Sequence, residues 1–317
     1  MLTLQVASRV DEADGIAGLV LTNPQGVPLP EWSPGAHIDV HIDRPGEAPM
    51  VRPYSLCGDP TDRSAYRIAV LLEQSGEGGS RFVHEQVRQG QLVRVAEPRN
   101  LFGFTVEDRM VFVAGGIGIT PILPMIARVE ADGDRWRLVY GGRTAASMAF
   151  ADELAAHSDS VTLHPQDTHG LLDLDALLGT PQPDTLVYCC GPEPLLRAVE
   201  ERMAAWPAEA LHLERFAAPE QPARDPAGEH GVEVVLAESG RTLMVGPETS
   251  ILQAILDAGI DHDHDCTEGI CGTCESKVID GEVDHRDYVL TEREKAAGDC
   301  MMVCVSRACG KRLVLGL

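Results

Sequence analysis

Four cysteines near the carboxyl terminus have the residue type and the spacing to hold a redox centre. Cys266, Cys271 and Cys274 follow the pattern C-x4-C-x2-C, and Cys304 comes after 29 intervening residues. This is the plant-type 2Fe–2S pattern, in which four thiolates hold two tetrahedral irons. A structural zinc site also takes four cysteines, but usually as two short C-x2-4-C knuckles. This sequence has one such knuckle, so the spacing favours an iron–sulfur cluster over zinc.

Other potential ligands lie near this motif without sharing its spacing. His262 and His264 precede the cysteine loop. A Rieske centre replaces two cysteines with histidines, but all four cysteines are present, so we expect both histidines to be surface residues. Cys300 and Cys309 are off the ligand spacing, and we expect them to pack in the core.

Composition limits the class of protein. The 317 residues suffice for two or three domains. The net charge of -23 argues against nucleic acid as a partner. No apolar run approaches the roughly 18 residues that span a bilayer, and the start of the chain lacks a signal-peptide pattern. The nine cysteines are an odd number with four already assigned as ligands, which favours a reducing compartment over a disulfide scaffold. We therefore expect a cytoplasmic protein that does not bind membranes.

Residues 1–103 are rich in predicted strands punctuated by Gly, Pro and Asp, which is typical of an antiparallel barrel. Two short motifs in this region suggest a flavin. In the first, Arg52 could hold a phosphate, Tyr54 could cover the isoalloxazine and Ser55 could hydrogen bond to the flavin N5 edge. In the second, residues 78–80 precede a short helix whose N-terminus would attract phosphate. The flavin-contact residues predicted here are Arg52, Pro53, Tyr54, Ser55, Gly78, Gly79 and Ser80.

Residues 104–216 alternate between buried parallel strands and helices. An apolar strand ends in a glycine-rich turn, residues 115–121, and an apolar helix follows, which is a dinucleotide-binding arrangement. Pro121 stands where the last glycine of the usual motif would be. The next strands end near Arg143 and Asp167. A carboxylate at Asp167 would favour NADH through the ribose hydroxyls, whereas Arg143 could hold a 2′-phosphate and favour NADPH. The residues predicted to line this site are Gly115, Gly116, Gly118, Thr120, Pro121, Arg143, Asp167, Cys190 and Gly191.

The last part of the chain holds the cysteine motif. Residues 217–231 contain three prolines and small polar residues, so they read as a linker. Residues 232–317 open with a hairpin-like pair of strands, and a helix capped at Ser250 or Thr249 follows. This pattern predicts a small mixed sheet crossed by one helix.

Taken together, these motifs resemble the phthalate dioxygenase reductase family, which includes vanillate demethylase reductases and related O-demethylase reductases. The resemblance covers the whole chain. It rests on R-P-Y-S-L-C from Arg52, G-G-S from Gly78, G-G-I-G-I-T-P from Gly115, Y-G-G-R-T from Tyr140, Y-C-C-G-P from Tyr188 and the cluster cysteines. It implies a multidomain fold: an antiparallel β-barrel flavin domain, an α/β parallel-sheet nicotinamide domain and an α+β, β-grasp-like ferredoxin domain.

The same resemblance implies the cofactors and the residues around the reacting atoms. It implies FMN rather than FAD, NADH as the electron donor and an oxygenase as the acceptor. Phe216 matches an aromatic residue that shields the flavin where the nicotinamide must enter. Cys190 matches a cysteine near the hydride-transfer centre. With Ser55, these two residues form the predicted catalytic set.

The predicted function is therefore NADH-dependent electron transfer through FMN and the 2Fe–2S cluster to a Rieske-type oxygenase or demethylase that docks transiently. NADH delivers two electrons at once and the cluster takes one, so a flavin is needed between them. Two alternatives remain. The same chain of centres could serve a cytochrome or a separate ferredoxin, or the protein could be a non-catalytic ferredoxin-type carrier. The acidic third domain predicts salt-sensitive docking on a basic partner.

Overall fold

A computed structural model describes residues 1–43, 50–74, 76, 78–133, 135–218 and 231–317. The chain forms two compact units, Met1–Glu214 and Arg215–Leu317. The first unit contains an antiparallel barrel and a parallel sheet, and the second contains a small mixed sheet. Of the predicted linker, residues 219–230 lie outside the described residues.

The barrel is built from the first seven strands and one helix. The strands are β1 (Leu2–Ala13), β2 (Ile16–Thr22), β3 (Ala36–Ile42), β4 (Met50–Ser55), β5 (Ala65–Leu71), β6 (Leu92–Val95) and β7 (Arg99–Asn100), and the helix is α1 (Gly79–Gln86). They pair in the order β4-β3-β6-β1-β2-β5, with β7 on β3. An antiparallel bridge between Leu56 and Ile68 joins the two ends of this order and closes the barrel. Alternate residues such as Ile38 and Val40 fill its interior, as a period of two requires.

The parallel sheet follows directly. Its strands are β8 (Arg109–Gly115), β9 (Arg135–Gly142), β10 (Val161–Pro165), β11 (Thr185–Cys190) and β12 (Leu211–Glu214), in the order β10-β9-β8-β11-β12. Every described pairing in it is parallel. β8 is buried from Met110 to Gly115, because helices cover both faces of a parallel sheet. The helices are α2 (Ile122–Asp132), α3 (Ala151–Leu154), α4 (Gln166–His169), α5 (Leu174–Leu178) and α6 (Glu193–Arg202).

Side chains from the barrel hold the parallel-sheet domain in place. Arg67 on β5 donates to Glu153 at 2.9 Å and lies over the ring of Phe150 at 4.5 Å. The Tyr188 hydroxyl on β11 accepts from the Thr105 N–H at 3.0 Å, within the segment that leads out of the barrel. Burial raises the pKa of Tyr188, so this hydroxyl stays protonated. The two domains of the first unit are therefore packed as one body.

The second unit is a five-stranded mixed sheet with a separate two-stranded ribbon. Its elements are β13 (Val232–Leu236), β14 (Arg241–Val245), α7 (Ile251–Asp257), β15 (Glu275–Asp280), β16 (Val283–Asp284), α8 (Glu292–Ala297), β17 (Cys300–Met302), β18 (Arg307–Ala308) and β19 (Arg312–Leu315). The sheet order is β14-β13-β19-β15-β17, and β16 pairs with β18. β13 and β19 are parallel, whereas the other pairs are antiparallel.

Local sequence explains where the helices of this unit begin. The Ser250 hydroxyl accepts from the Gln253 N–H at 3.0 Å and caps α7. Thr291 and Glu294 form a capping box at the start of α8, a second helix that the sequence did not predict. The predicted fold class is confirmed in all three of its parts. None of the described helices has the length and apolar character needed to cross a bilayer.

Candidate functional site

The two flavin motifs meet at the edge of the barrel. Gly79 opens α1 so close to β4 that a Cβ there would lie 3.0 Å from Arg52 Cγ and 3.0 Å from Met50 Sδ. Gly78 has φ 94°, a left-handed conformation that favours glycine. These two glycines therefore allow the first turn of α1 to lie against the Arg52 side chain.

The groups gathered there fit a phosphate. The Arg52 guanidinium is half-buried, with Nη1 donating to the Val51 carbonyl at 2.8 Å. No side chain caps α1, and its first turn, which is fully described, carries no acidic residue. The Ser80 hydroxyl accepts from the Glu73 N–H at 3.0 Å, so its own proton remains available to a ligand. A guanidinium beside free N–H groups at a helix N-terminus is suited to the terminal phosphate of a flavin mononucleotide.

Tyr54 and Ser55 lie on opposite faces of β4. Tyr54 is paired with Ile38 and shares the barrel-facing side, whereas Ser55 is paired with His37 and is 6% exposed. Burial raises the pKa of Tyr54 to about 12, against the opposing effect of Arg52, so the ring carries a neutral hydroxyl. Pro53, which precedes Tyr54, is exposed. An aromatic face and a small hydroxyl on successive residues can contact a ring from its face and from its edge.

The nucleotide turn is built from two glycine-containing strand ends that touch. A Cβ on Gly118 would lie 2.3 Å from the Cys190 carbonyl oxygen. A Cβ on Gly115 would lie 2.7 Å from Pro192 and 3.4 Å from the Gly191 Cα. Gly116 has φ 55° and nothing within 4 Å of its Cβ position, so its backbone is open to a ligand. The turn after β8 therefore packs on the turn after β11 with no room for side chains.

Thr120 and Pro121 serve the turn itself. The Thr120 side chain is 2% exposed, and its hydroxyl donates to the Ile117 carbonyl at 2.9 Å. Pro121 is the N-cap of α2, where its missing N–H costs nothing. Both residues hold the backbone in place, and the structure gives neither side chain a free polar group.

The two residues proposed to select the nucleotide are neighbours. The Asp167 N–H donates to the Arg143 carbonyl at 3.1 Å, across the ends of β10 and β9. Both side chains are exposed at this edge of the sheet. A carboxylate for ribose hydroxyls and a guanidinium for a 2′-phosphate are thus present within one small region.

Glu214 is a residue that the sequence did not single out. It is the last residue of β12, in parallel register with Cys190, and its Oε2 lies 3.9 Å from the Cys190 sulfur. Burial raises the pKa of Glu214 to about 8. Burial, with Glu214 adding to it, also raises the pKa of the Cys190 thiol. Both groups therefore hold a proton at neutral pH, beside the glycine turn.

Phe216 lies two residues further on, in the second unit, and is 42% exposed. Its role beside the flavin stays a prediction.

The four cysteines of the second unit form two pairs. The side chains of Cys266 and Cys271 each shift the thiol pKa of the other, and so do those of Cys274 and Cys304, which places each two close together. Cys271, Cys274 and Cys304 are buried, and Cys266 is partly exposed. Within the described residues, no three metal-binding side chains surround a single point. Two pairs fit a two-iron cluster, in which bridging sulfides complete the tetrahedron of each iron, better than one tetrahedral zinc.

Hydrogen-bond donors surround these sulfurs. The Glu268 N–H donates to the Cys266 sulfur at 3.3 Å, and the Cys266 N–H donates to the Cys271 sulfur at 3.5 Å. The Thr273 hydroxyl lies 3.3 Å from the same Cys271 sulfur. The neighbouring Cys266 side chain lowers the pKa of Cys271 most, and the Thr273 hydroxyl and the Cys266 N–H add to this effect. Donors aimed at sulfur favour the thiolate, which is the form that binds metal.

Three residues with a left-handed backbone conformation let the loop curve around the position of the cluster. Thr267, Gly269 and Gly272 have φ values of 57°, 75° and 70°. Gly269 is confined further, since a Cβ there would lie 2.6 Å from the Val305 side chain. The loop therefore requires glycine at this position for both conformation and space.

The neighbouring histidines and cysteines differ in part from expectation. His264 is exposed, but His262 is half-buried, with Nε2 3.1 Å from the Ser276 hydroxyl. The expectation of a core position is wrong for Cys309, which is exposed because it follows the short edge strand β18. Cys300 is partly buried.

Comparisons with known proteins match two regions of this chain to described families. The family described as "2Fe-2S iron-sulfur cluster binding domain" matches residues 234–309, and "Oxidoreductase NAD-binding domain" matches residues 112–201. The carnitine monooxygenase reductase subunit of Escherichia coli (strain K12) is 39% identical over 323 residues, covering 100% of this chain and 98% of that one.

Solved structures are also similar over the whole chain. Phthalate dioxygenase reductase, described as a modular structure for electron transfer from pyridine nucleotides to a 2Fe–2S centre, is 37% identical with a TM-score of 0.71, covering 100% of this chain and 98% of that one. An intact type IV self-sufficient cytochrome P450 monooxygenase is 47% identical with a TM-score of 0.93, and this chain spans 41% of it.

The fold and the sites define an NADH-dependent flavin and iron–sulfur oxidoreductase. At these identities and this coverage, the chain belongs to the phthalate dioxygenase reductase family. The cofactors of the family are FMN, NADH and a 2Fe–2S cluster, and the predictions of family and cofactors are confirmed. The individual contact residues stay predictions.

Proposed function

We propose that this chain is the reductase component of a two-component oxygenase system. It takes electrons from NADH and delivers them singly to a Rieske-type oxygenase or demethylase that docks transiently. The observation that carries this proposal is the pairing of the four cysteines beneath a shell of N–H and O–H donors, on the same chain as a glycine-built nucleotide turn. A flavin held by the barrel would supply the step between them, since it can accept two electrons together and release them one at a time.

The barrel residues hold and orient the ring system in this proposal. Arg52 and the first turn of α1 bind the phosphate, where Gly79 sets the distance between them. Tyr54 covers the ring with a neutral hydroxyl, since the raised pKa keeps its proton in place. Ser55, buried at the end of β4, donates to the edge of the ring.

The nucleotide domain orients the donor. The open backbone at Gly116 lets the dinucleotide approach the turn, and the contact between Gly118 and Cys190 fixes where that turn ends. The Cys190 thiol and the Glu214 carboxyl are both protonated at neutral pH, so neither places a negative charge beside the reacting ring. Asp167 accepts hydrogen bonds from the ribose hydroxyls.

The cysteine loop also provides the exit for electrons. Cys266 is the least buried of the four ligands, and the residues around it are acidic. Asp261, Asp263 and Glu268 are exposed beside it. Such a surface attracts a basic patch on an acceptor, and exposed charges are screened by salt.

Reconstitution tests the proposal. The full-length protein, NADH and a purified Rieske-type aromatic demethylase are mixed without oxygen, and reduction of the Rieske centre is followed. We expect rapid reduction that slows as salt is added. Cys304→Ser is expected to stop it, whereas Cys309→Ser, at an exposed cysteine off the ligand spacing, should not. Rapid reduction by Cys304→Ser, or none by the unaltered protein, would refute the proposal.

A second acceptor is favoured by one comparison. The cytochrome P450 monooxygenase that this chain resembles at 47% identity carries the matching region within one polypeptide. A separate P450 haem protein is therefore the alternative acceptor. The same mixture with a P450 under carbon monoxide distinguishes the two, because the faster-reduced partner at equal concentration is the physiological class.

A further inference from the structure

A segment outside the cysteine motif packs against the loop that carries Cys266, Cys271 and Cys274. Residues 285–290, here called the cluster strap, run from the end of β16 to the start of α8. The Tyr288 N–H donates to the Gly269 carbonyl at 2.9 Å. A Cβ on Gly269 would lie 3.2 Å from the Asp287 Cα. The strap therefore lies directly against the loop that supplies three of the four ligands.

The same strap is tied to the turn that follows the fourth ligand. The Arg286 N–H donates to the Ser306 hydroxyl at 3.1 Å, and that hydroxyl donates to Asp287 Oδ1 at 3.4 Å. Pairing of β16 with β18 anchors both segments, since Asp284 lies opposite Arg307. The two parts of the chain that hold the cluster cysteines, far apart in sequence, are thus joined through the strap.

Asp287 is the centre of this junction. Its residue is 2% exposed, and its Oδ2 accepts from the N–H groups of Val289 and Leu290 at 3.2 and 2.8 Å. Its Oδ1 accepts a hydrogen bond from the Ser306 hydroxyl and lies 3.6 Å from His285 Nδ1. A buried carboxylate costs free energy unless its oxygens are satisfied, and here the partners come from the strap and from the Cys304 turn.

The junction controls one donor to the cluster. The Gly269 N–H lies close enough to the Cys304 sulfur to act on that thiol. The Tyr288 N–H binds the Gly269 carbonyl, and Asp287 packs against the Gly269 Cα. The direction of the Gly269 N–H therefore depends on the strap. Hydrogen bonds to cluster sulfurs set the reduction potential, because they stabilise the more negative reduced state.

We propose that Asp287 is a positioning residue for the iron–sulfur site. Through Ser306 and the strap, it holds the Gly269 amide on the Cys304 sulfur and so raises the reduction potential of the cluster. This inference rests on the proposed function only in that the cysteines bind a 2Fe–2S cluster.

The experiment measures the cluster potential of the full-length protein by dye-mediated titration with dithionite, followed by EPR. Ser306→Ala cuts the link and leaves every carboxylate in place, so we expect the potential to fall. The expected size is about tenfold in the one-electron equilibrium with the dye, or 59 mV. The matched control is Ser239→Ala, in the turn between β13 and β14, which should match the unaltered protein.

Asp287→Asn is the second variant. It keeps an acceptor for the Val289 and Leu290 N–H groups but removes a negative charge near the cluster, so we expect the potential to rise. The opposite signs separate positioning from charge. Pulsed EPR in deuterated water adds a structural readout, because Ser306→Ala should weaken the coupling from one exchangeable amide proton. Midpoint potentials are measured on the clusters retained, so partial loss of iron does not mask the result.

The inference is overturned if Ser306→Ala matches the Ser239→Ala control, or if it raises the potential as the loss of charge in Asp287→Asn should. Because dithionite replaces NADH, this outcome is independent of hydride transfer. Failure of NADH to reduce the unaltered protein would instead refute the proposed function.

Discussion

The substitution Gly118→Ala is expected to disable nucleotide use while leaving the rest of the protein intact. The new Cβ would lie 2.3 Å from the Cys190 carbonyl oxygen, 2.5 Å from its carbon and 2.7 Å from the Gly191 nitrogen. All three are backbone atoms, so no side chain can rotate away. Because ordinary contact begins at 3.4 Å, the two turns must separate by about 1 Å, and a displacement of this size costs about 10²-fold in rate.

This loss corresponds to about 2.7 kcal/mol in the activation free energy. The assay is kcat/KM for NADH with ferricyanide as acceptor, because this reaction needs only the nicotinamide and the flavin. FMN, iron and sulfide contents are measured in parallel and should not change.

Two further glycines serve as controls for Gly118→Ala. Gly103 has nothing within 4 Å of its Cβ position and no positive φ, so Gly103→Ala should be silent. Gly116 is equally open but has φ 55°, a left-handed conformation that costs about 1 kcal/mol for alanine. Gly116→Ala should therefore lower kcat/KM for NADH about fivefold. If Gly118→Ala remained within threefold of Gly103→Ala, the argument that the two turns are in van der Waals contact would be wrong.

Three other perturbations have expected outcomes. Arg52→Ala should weaken FMN binding by roughly 10- to 150-fold, the effect of removing a charged donor of about 1.5–3 kcal/mol. Fluorescence titration of the apoprotein measures it, and equal affinity for Arg52→Ala and for Arg88→Ala, which lies beyond the end of α1, would contradict the phosphate assignment. Asp167→Asn should lower kcat/KM for NADH more than for NADPH, and the reverse preference would identify Arg143 as the selecting residue instead. Glu214→Gln tests the carboxyl whose pKa burial raises to about 8. The native state keeps a proton that the unfolded chain releases above its ordinary pKa of 4.5, so native stability falls as pH rises from 4.5 to 8. The Tm advantage of Glu214→Gln should therefore be greater at pH 9 than at pH 5, and a constant difference would show that Glu214 is not buried in its neutral form.

The sequence predicts the parts of this protein whose chemistry is local. Cys266, Cys271 and Cys274 lie within one loop, so their spacing alone indicates the cluster. The glycine turn after β8 is equally local, because one short segment carries the strand end, the turn and the helix start. These features correspond to the confirmed fold class and cofactors.

Features that depend on contacts between distant segments of the chain cannot be predicted from the sequence. Glu214 is an ordinary residue of a strand until parallel pairing with β11 places it beside Cys190. Asp287 matters only because the strap lies on Gly269, 18 residues earlier in the chain. His262 was expected on the surface, but its hydrogen bond to Ser276 on β15 draws it inward.

Barrel closure is another such case. The alternation of the strands indicates an antiparallel barrel, but neither the order β4-β3-β6-β1-β2-β5 nor the bridge from Leu56 to Ile68 can be read from it. This order matters to function, because it leaves β4 where α1 can bring Gly79 against Arg52.

The most direct test of electron transfer within this chain is an anaerobic titration of the holoprotein with NADH, followed by its visible spectrum. We expect the flavin band at about 450 nm to bleach and the cluster bands to fall with it, with fewer equivalents of NADH needed for Cys304→Ser, which lacks the second centre. Bleaching of the flavin with the cluster still oxidised, or no spectral change with NADH, would contradict the account.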